Sequence, residues 1–217
     1  MKVWVPSAMP SFDRIGVLGA GRAGTAFARA AARSGIDVQI ASTRTPTQMR
    51  YHLMQYAPQA RAVLAEEVAD GVELVILAVP QEDLDDVAPA WFTDRILVDA
   101  TNRWHDEPLP EWFEDGLASG LSSSEVIAQR FDTATVVKAL NHISHWAMDT
   151  PAADEERAAA VASDSPSAAK VVADLVSALG FAPVVASSLA AGRHTEPGTP
   201  YFNVAATSEQ LARHFLA

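Results

Sequence analysis

The chain has 217 residues, 49% of them hydrophobic, and a formal net charge of −11. Its length suits one large domain, or one domain with a small appendage, that buries a core. The negative charge argues against nucleic acid or an anionic membrane as the main partner, and the absence of cysteine excludes disulfides and thiolate chemistry.

Residues 1–12 are predicted to be an irregular tail, with a short edge strand over residues 2–6 as the alternative. Their apolar run is too short for a signal peptide. No stretch of the chain approaches the roughly 18 apolar residues of a membrane span. A cytoplasmic protein with no membrane partner is therefore expected.

The first predicted strand, residues 14–18, leads directly into a glycine motif and an Ala-rich helical pattern. The order of strand, glycine turn and helix is that of a dinucleotide pyrophosphate site. Gly19 can form the tight turn, Gly21 leaves room for the phosphates, and Gly24 lets the helix lie close to the strand. The helix N-terminus offers unpaired N–H groups to the anion. The predicted pyrophosphate site is Gly19-Ala20-Gly21-Arg22-Ala23-Gly24.

The second predicted strand, residues 37–41, is followed by Ser42, Thr43 and Arg44. An NAD site carries Asp or Glu at this point to bind the ribose hydroxyls. Hydroxyls and a guanidinium suit a 2′-phosphate instead, although an arginine in a surface loop can also be incidental. Together with the glycine motif, and without an acid, these residues predict NADP as the cofactor.

Strands alternate with helices along the rest of the chain, which predicts an α/β fold with a doubly wound, mostly parallel Rossmann sheet. Three domains are predicted: a tail over 1–12, an NADP-binding Rossmann domain over 13–150, and a small C-terminal α/β extension over 151–217 for substrate binding or dimerisation. Acids in a predicted helix over 81–88 are interpreted as a solvated face. The further predicted strands are 60–63, 72–79, 96–100, 134–140, 159–163 and 183–186, the further helices are 64–70, 122–131, 165–179 and 208–216, and the longer loops are 105–119 and 192–200.

The carboxyl ends of three predicted strands carry small polar groups or free backbone. In an open parallel sheet, ligands bind outside these ends. The ends therefore suit the ribose and carboxamide of a nicotinamide. The alternative is that the two asparagines only cap turns. The residues concerned are Val79, Pro80, Thr101, Asn102 and Asn141.

An ordered set of segments resembles the reduced-coenzyme-F420:NADP oxidoreductases and their bacterial dinucleotide-binding relatives. It is also similar to the cytosolic NADPH-binding domain of the six-transmembrane ferric reductases. The resemblance covers roughly residues 14–193. Its segments are Gly19-Ala-Gly-Arg-Ala-Gly24, Ser42-Thr-Arg44, Val75-Ile-Leu-Ala-Val-Pro80, Val98-Asp-Ala-Thr-Asn102, Val136-Val-Lys-Ala-Leu-Asn-His-Ile-Ser-His-Trp146, Gly180-Phe-Ala-Pro-Val and Ser188-Leu-Ala-Ala-Gly.

The resemblance implies the pyrophosphate on the glycine motif and the 2′-phosphate on Thr43 and Arg44. It also implies that the nicotinamide side is formed by Val79, Pro80 and Ala139. The chain departs from the deazaflavin enzymes in two places: Gln48 stands where they tend to have lysine, and Asn141 where they tend to have histidine. The segment Ala139-Leu-Asn141 is more similar to the ferric-reductase domain.

The chain after Asn141 is too short to enclose a small substrate alone, so an open cleft is expected. Such a cleft suits a second, flat redox substrate, since hydride transfer to a stacked ring mainly requires close contact. The predicted function is NADP(H)-dependent hydride transfer with coenzyme F420 or a flavin such as FMN, in a homodimer. The alternatives are reduction of a small carbonyl or imine by NADPH, and a non-catalytic NADPH-binding protein.

His142 and His145 are the candidate catalytic residues, as contacts to the second substrate or as proton donors near neutral pH. A plain structural role is the alternative. Together with these two histidines, Asp149 would be only a weak candidate for a third metal ligand. No metal site is therefore predicted.

Overall fold

The computed structural model describes residues 12–103, 108–150 and 156–216. The expected N-terminal tail, apart from Phe12, lies outside the described residues. The strands are β1 Arg14–Leu18, β2 Asp37–Ala41, β3 Arg61–Ala62, β4 Leu74–Leu77, β5 Ile96–Asp99, β6 Thr135–Ala139, β7 Ala158–Ala162 and β8 Ala182–Ala186. The α-helices are α1 Arg22–Arg33, α2 Pro46–Tyr56, α3 Glu111–Ala118, α4 Ser123–Arg130, α5 His145–Asp149, α6 Pro166–Ala178 and α7 Ser208–Phe215, and 3₁₀ segments cover Ala65–Glu67, Gln81–Asp86, Pro89–Phe92 and Leu189–Thr195.

All strands of the described residues join one sheet in the order β3-β2-β1-β4-β5-β6-β7-β8. The pairs from β3 to β6 are parallel, β7 runs antiparallel to β6, and β8 runs parallel to β7. The first six strands have the order of a Rossmann sheet, with its switch point between β1 and β4. The predicted α/β fold class is confirmed.

Hydrophobic residues cover both faces of the sheet, which explains why the central strands are apolar throughout. All four residues of β4 are buried. Ile15 and Phe27 belong to the core cluster that faces α1, α2 and α6, while Leu77 and Phe113 belong to the cluster that faces α3 and α4. A strand buried on both faces cannot alternate polar and apolar residues, as is usual in parallel sheets.

The C-terminal part of the chain extends the same sheet. β7 and β8 carry a third core cluster that includes Leu211 and Phe215 of α7. The α/β character expected for this part is therefore present, on a sheet shared with the N-terminal part. Its separate role as a substrate or dimerisation unit stays a prediction.

Several local expectations were wrong. α3 lies inside the segment predicted as a loop over 105–119, because Trp112 and Phe113 pack on each other and Phe113 is buried. The segment predicted as a helix over 81–88 is a 3₁₀ helix that ends at Asp86. The predicted glycine-rich loop from 192 begins within the 3₁₀ segment Leu189–Thr195, and α5 was not predicted.

The helix predicted over 122–131 is present as α4. Its capping box is also present: the Ser122 hydroxyl accepts from the Glu125 backbone, and Glu125 accepts from the Ser122 backbone. None of the helices in the described ranges combines the length and apolar character needed to cross a bilayer.

Candidate active site

The glycine motif lies between β1 and α1, at the switch point of the sheet. Gly19 has φ +115°, and a Cβ there would lie 2.2 Å from the carbonyl oxygen of Ala78 in the neighbouring chain segment. Only glycine tolerates both the angle and the contact. Gly21 precedes α1 as its N-cap, and a Cβ added there would meet no neighbouring atom within 4 Å. The turn thus presents the start of α1 to open space, as a bound pyrophosphate requires.

A histidine that the sequence reasoning missed supports this turn. Nε2 of His52, on α2, donates to the carbonyl oxygen of Ala20 at 2.8 Å. The hydroxyl of Thr25 donates to the carbonyl oxygen of Gly21 at 2.8 Å. The backbone of the motif is therefore held from α2 and from within α1, and the N–H of Gly19 donates to the carbonyl oxygen of Ala41 at 2.9 Å.

The end of β2 borders a cavity of about 330 Å³. The residues that line it include Ser42, Thr43 and Arg44 after β2, and Val79 and Trp91 after β4. The structure therefore brings the predicted 2′-phosphate residues together with the β4 end at one cavity. Its position next to the glycine turn is that of the adenosine half of a dinucleotide.

Carboxylates also line this cavity, which the sequence reasoning did not predict. Glu66, Asp83 and Asp86 contribute to its wall, and two of these belong to the acidic segment interpreted as a solvated helix face. They come from the segments after β3 and β4, not from the end of β2, where an NAD site has its acid. The position where an NAD site has its acid is therefore occupied by Ser42, Thr43 and Arg44.

The polar side chains predicted for the nicotinamide side are buried and bonded to one another. Asn102 Nδ2 donates to the backbone carbonyl of Asn141 at 2.8 Å, and Asn141 Nδ2 donates to the carbonyl of Thr195 at 2.8 Å. The hydroxyl of Thr195 donates to Asn141 Oδ1 at 3.1 Å. These amides thus join the ends of β5 and β6 to the C-terminal segment. This structural role is similar to the alternative in which the two asparagines only cap turns. Ala139, the last residue of β6, is buried as well.

Leu140, directly after β6, has a φ of +66°. A branched side chain rarely adopts this left-handed conformation, and such strain clusters at functional sites. The turn sends the chain across the sheet edge, where Asn203 N–H donates to the carbonyl of His142 at 2.9 Å. The C-terminal segment therefore lies over the end of β6 and walls this side of the site.

A buried ion pair lies beneath the same edge. Nζ of Lys138 lies 3.0 Å from Oδ2 of Asp99, and both side chains are almost fully enclosed. The sequence signal was available, since each is a charged residue inside an otherwise apolar strand. A charge in such a position requires a partner.

His142 is buried, and both of its ring nitrogens form hydrogen bonds within the protein. Its Nε2 accepts from the Ala160 N–H at 3.0 Å, and its Nδ1 donates to the Tyr201 carbonyl at 3.4 Å. The pKa of His142 is lowered from 6.5 to about 4, mainly by burial and to a smaller extent by the positive charge of Lys138, while the bond to Tyr201 opposes both effects. With both nitrogens occupied, the ring has no free group to offer to a substrate.

His145 is half-buried at the start of α5, and its ring lies 4.8 Å from that of the exposed Trp146. The third residue considered for a metal, Asp149, is held instead by two bonds of 2.7 Å from Arg29 on α1. Those bonds keep the pKa of the Asp149 carboxyl below its usual value. Within the described residues, no group of three or more His, Asp or Glu is placed to hold a metal ion.

Residues 14–103, which contain the glycine turn and the β2 and β4 ends, match the protein family described as NADP oxidoreductase, coenzyme F420-dependent. This part of the chain is therefore similar to these oxidoreductases. The match includes the glycine turn and the ends of β2, β4 and β5, and it stops before β6.

Similar proteins extend the likeness over most of the chain. Metalloreductase STEAP3 of Rattus norvegicus is 29% identical over 194 residues, which are 88% of this chain and 37% of the relative. The chain thus spans less than two fifths of that protein's length. The resemblance to the NADPH-binding domain of ferric reductases is supported by this match.

Two solved structures have the same architecture over nearly their whole length. A hypothetical protein from Sinorhizobium meliloti superposes with a TM-score of 0.77 at 25% identity, covering 90% of this chain and 95% of the other. A candidate F420-dependent NADP reductase from Arthrobacter sp. FB24 has a TM-score of 0.67 at 25% identity, covering 84% and 88%. A fold of this size and architecture is therefore found in both of these proteins.

Proposed function

We propose that this oxidoreductase binds NADPH and passes its hydride to a deazaflavin such as coenzyme F420, or to a flavin such as FMN. The observation that carries the proposal is the pairing of the open glycine turn with a cavity that has hydroxyls and a guanidinium at the end of β2. Ser42, Thr43 and Arg44 are the groups that a 2′-phosphate needs. NADH offers no phosphate there and would leave Arg44 without its ligand.

The cofactor would lie along the carboxyl edge of the sheet. Its pyrophosphate would sit over Gly21 at the start of α1, where the space is open. The apolar wall that includes Val87 and Trp91 would flank the adenine. The nicotinamide would lie beyond Val79 and Pro80, toward the ends of β5 and β6.

The acceptor side supports a stacked ring better than a proton-transfer mechanism. His142 is enclosed, Asn102 and Asn141 are bonded to each other, and Asn141 is also bonded to Thr195. Hydride transfer to a deazaflavin mainly needs the two rings at near-contact distance. We place the acceptor beside His145, where a half-buried imidazole lies next to an exposed indole, with the C-terminal segment as a wall and a second copy of the chain completing the cleft.

The family description and the name of the Arthrobacter protein combine F420 with NADP, which supports the first choice of acceptor. The rat relative is named a metalloreductase. This chain covers only part of that protein's length. We therefore propose dinucleotide binding for this chain and do not propose metal reduction.

An anaerobic assay with NADPH deuterated at nicotinamide C4 tests the proposal. Oxidised F420 and FMN are offered separately, and loss of NADPH absorbance is followed. The proposal expects turnover with one of them, and with F420 the deuterium should be found on the product's ring carbon by mass spectrometry. NADPH binding without reduction of either acceptor would contradict it. Turnover only with a small carbonyl or imine would favour the alternative reductase.

A further inference from the structure

The ion pair between Asp99 and Lys138 is an unusual feature for a protein interior. Asp99 ends β5, Lys138 lies in the adjacent β6, and their side chains are 0% and 1% exposed. Burying two charges costs several kcal/mol of desolvation, so such a pair contributes little to net stability compared with apolar residues of the same size. Its contacts indicate another role.

The pair holds one residue, Thr101, from both sides of its backbone. Oδ1 of Asp99 accepts from the Thr101 N–H at 2.9 Å and from the Thr101 hydroxyl at 2.7 Å. Nζ of Lys138 donates to the Thr101 carbonyl oxygen at 3.2 Å. The N–H, hydroxyl and carbonyl of a single residue are thus fixed by two oppositely charged groups.

The same network reaches the strand end next to it. Nε2 of Gln81, the residue after Pro80, donates to the Thr101 hydroxyl oxygen at 3.2 Å. The hydroxyl therefore accepts from Gln81 while it donates to Asp99. This chain of bonds joins the β4 end to the β5 end across the edge where the nicotinamide is expected.

The network continues into the C-terminal segment. Nζ of Lys138 also approaches the Ser123 hydroxyl at 3.4 Å, and that hydroxyl donates to Glu196 at 2.6 Å. A Cβ on Gly192 would lie 2.8 Å from Cγ of Lys138, so the backbone of this segment covers the lysine closely. We call the network of Asp99, Lys138 and Thr101 the clamp. The C-terminal segment, which also forms a wall of the acceptor side, shields the clamp from solvent.

We propose that Lys138 and Asp99 are positioning residues for hydride transfer. They act through Thr101 and Gln81 and fix the backbone of residues 79–81 and 101–102 against the nicotinamide. This inference rests on the proposed NADPH function. Neither residue touches the cofactor, so their removal should affect the nicotinamide half of the ligand and spare the adenosine half.

A purely structural ion pair and a positioning clamp should differ in how NADPH affinity responds when stability is restored. A double variant distinguishes these two roles. Lys138→Met leaves the carboxylate of Asp99 buried without its partner, which destabilises the fold. Lys138→Met/Asp99→Asn removes that charge. The amide introduced at position 99 can still accept from Thr101, and it can donate to the hydroxyl of Ser124, which in the wild type donates to Oδ2 of Asp99 at 2.6 Å. Stability should largely return, while the carbonyl of Thr101 still lacks its donor.

The experiment measures thermal stability and the affinity for two probes, NADPH and adenosine 2′,5′-bisphosphate, which lacks the nicotinamide. Lys170→Met is the matched control, since Lys170 pairs with Asp174 on the exposed face of α6. We expect both Lys138 variants to bind NADPH about tenfold more weakly, the effect of losing one charged hydrogen bond, and to bind the bisphosphate as the wild type does. Equal loss for both probes, or wild-type NADPH affinity in the double variant, would overturn the proposal. If Lys138→Met does not fold, the double variant decides.

Amide hydrogen exchange without ligand distinguishes failure of the clamp from failure of the proposed function. The double variant, whose stability should be close to that of the wild type, should show exchange raised at least about tenfold over residues 99–103 and unchanged over residues 41–45 at the adenosine cavity. Unchanged exchange over 99–103 would overturn the clamp. A wild-type protein that fails to bind NADPH would instead overturn the function, whatever the exchange shows.

Discussion

A Cβ added to Gly24 would lie 1.8 Å from the carbonyl oxygen of Gly19, whereas a Cβ on Gly21 would meet no atom within 4 Å. Gly24 is the point at which α1 approaches the turn after β1. Gly21 has a φ of −78°, which any residue can adopt. The packing of the protein therefore requires glycine at position 24 and does not require it at position 21.

Gly21→Ala and Gly24→Ala should separate folding from cofactor binding. Gly21→Ala is expected to change the free energy of unfolding by less than about 1 kcal/mol, and to weaken NADPH binding about tenfold or more because its methyl group enters the pyrophosphate space. Gly24→Ala should cost about 3 kcal/mol or more through overpacking against backbone. Chemical denaturation and calorimetry measure the two effects. Tight NADPH binding by Gly21→Ala would place the pyrophosphate elsewhere.

Arg44→Ala should weaken NADPH binding by more than about tenfold, because a guanidinium–phosphate bond is a charge-assisted one. NADH binding should change by less than about twofold, since no phosphate is lost. Arg50→Ala is the matched control, an exposed arginine on the neighbouring helix α2. An equal loss for the two cofactors in Arg44→Ala would remove the basis for choosing NADP.

His142 should make the protein less stable as the pH falls from 6.5 to 4. Its pKa is lowered to about 4 in the folded protein, mainly by burial, so the unfolded chain takes up a proton over this range and the folded protein does not. The stabilising contribution is complete above pH 6.5, and about 3 kcal/mol is lost at pH 4. Urea titrations at a series of pH values measure it. His142→Gln should flatten this part of the profile, and an unchanged slope would assign it to other groups.

His145→Ala tests the placement of the acceptor. The ring is half-buried beside Trp146, at the start of the helix that follows the β6 turn. Loss of a stacking surface worth about 1 kcal/mol should raise the KM for F420 or FMN about fivefold and leave the Kd for NADPH unchanged. His214→Ala, on α7, is the control. A change in NADPH affinity without a change in KM would place His145 on the cofactor side.

Much of the fold was predictable, because the strong patterns are local. β4 is an uninterrupted apolar run, and β1, the glycine turn and α1 follow one another directly. The hydrophobic pattern and the glycine motif were therefore sufficient to predict these elements. α3 was missed because its segment contains prolines and acids, and its helical structure depends on how Phe113 packs in the core. The reversed direction of β7 also depends on tertiary packing, which a single sequence does not encode locally.

The candidate site was predictable where a ligand contacts backbone and less so where side chains contact each other. Gly19 to Gly24 and Ser42 to Arg44 lie where the motif indicates. Asn102 and Asn141 were expected to face the ligand, but their partners are each other and Thr195, which is 54 residues away from Asn141 in the chain. The contact from His52 to Ala20 spans 32 residues and leaves no pattern in the sequence.

The most direct test of the account is a pair of calorimetric titrations of the wild-type protein, one with NADPH and one with NADH. We expect NADPH to bind at least about tenfold more tightly than NADH, because of the extra phosphate bonds at Ser42, Thr43 and Arg44. The preference should shrink at high salt, as expected for a solvent-exposed charge contact. Equal affinity for NADPH and NADH would contradict the account.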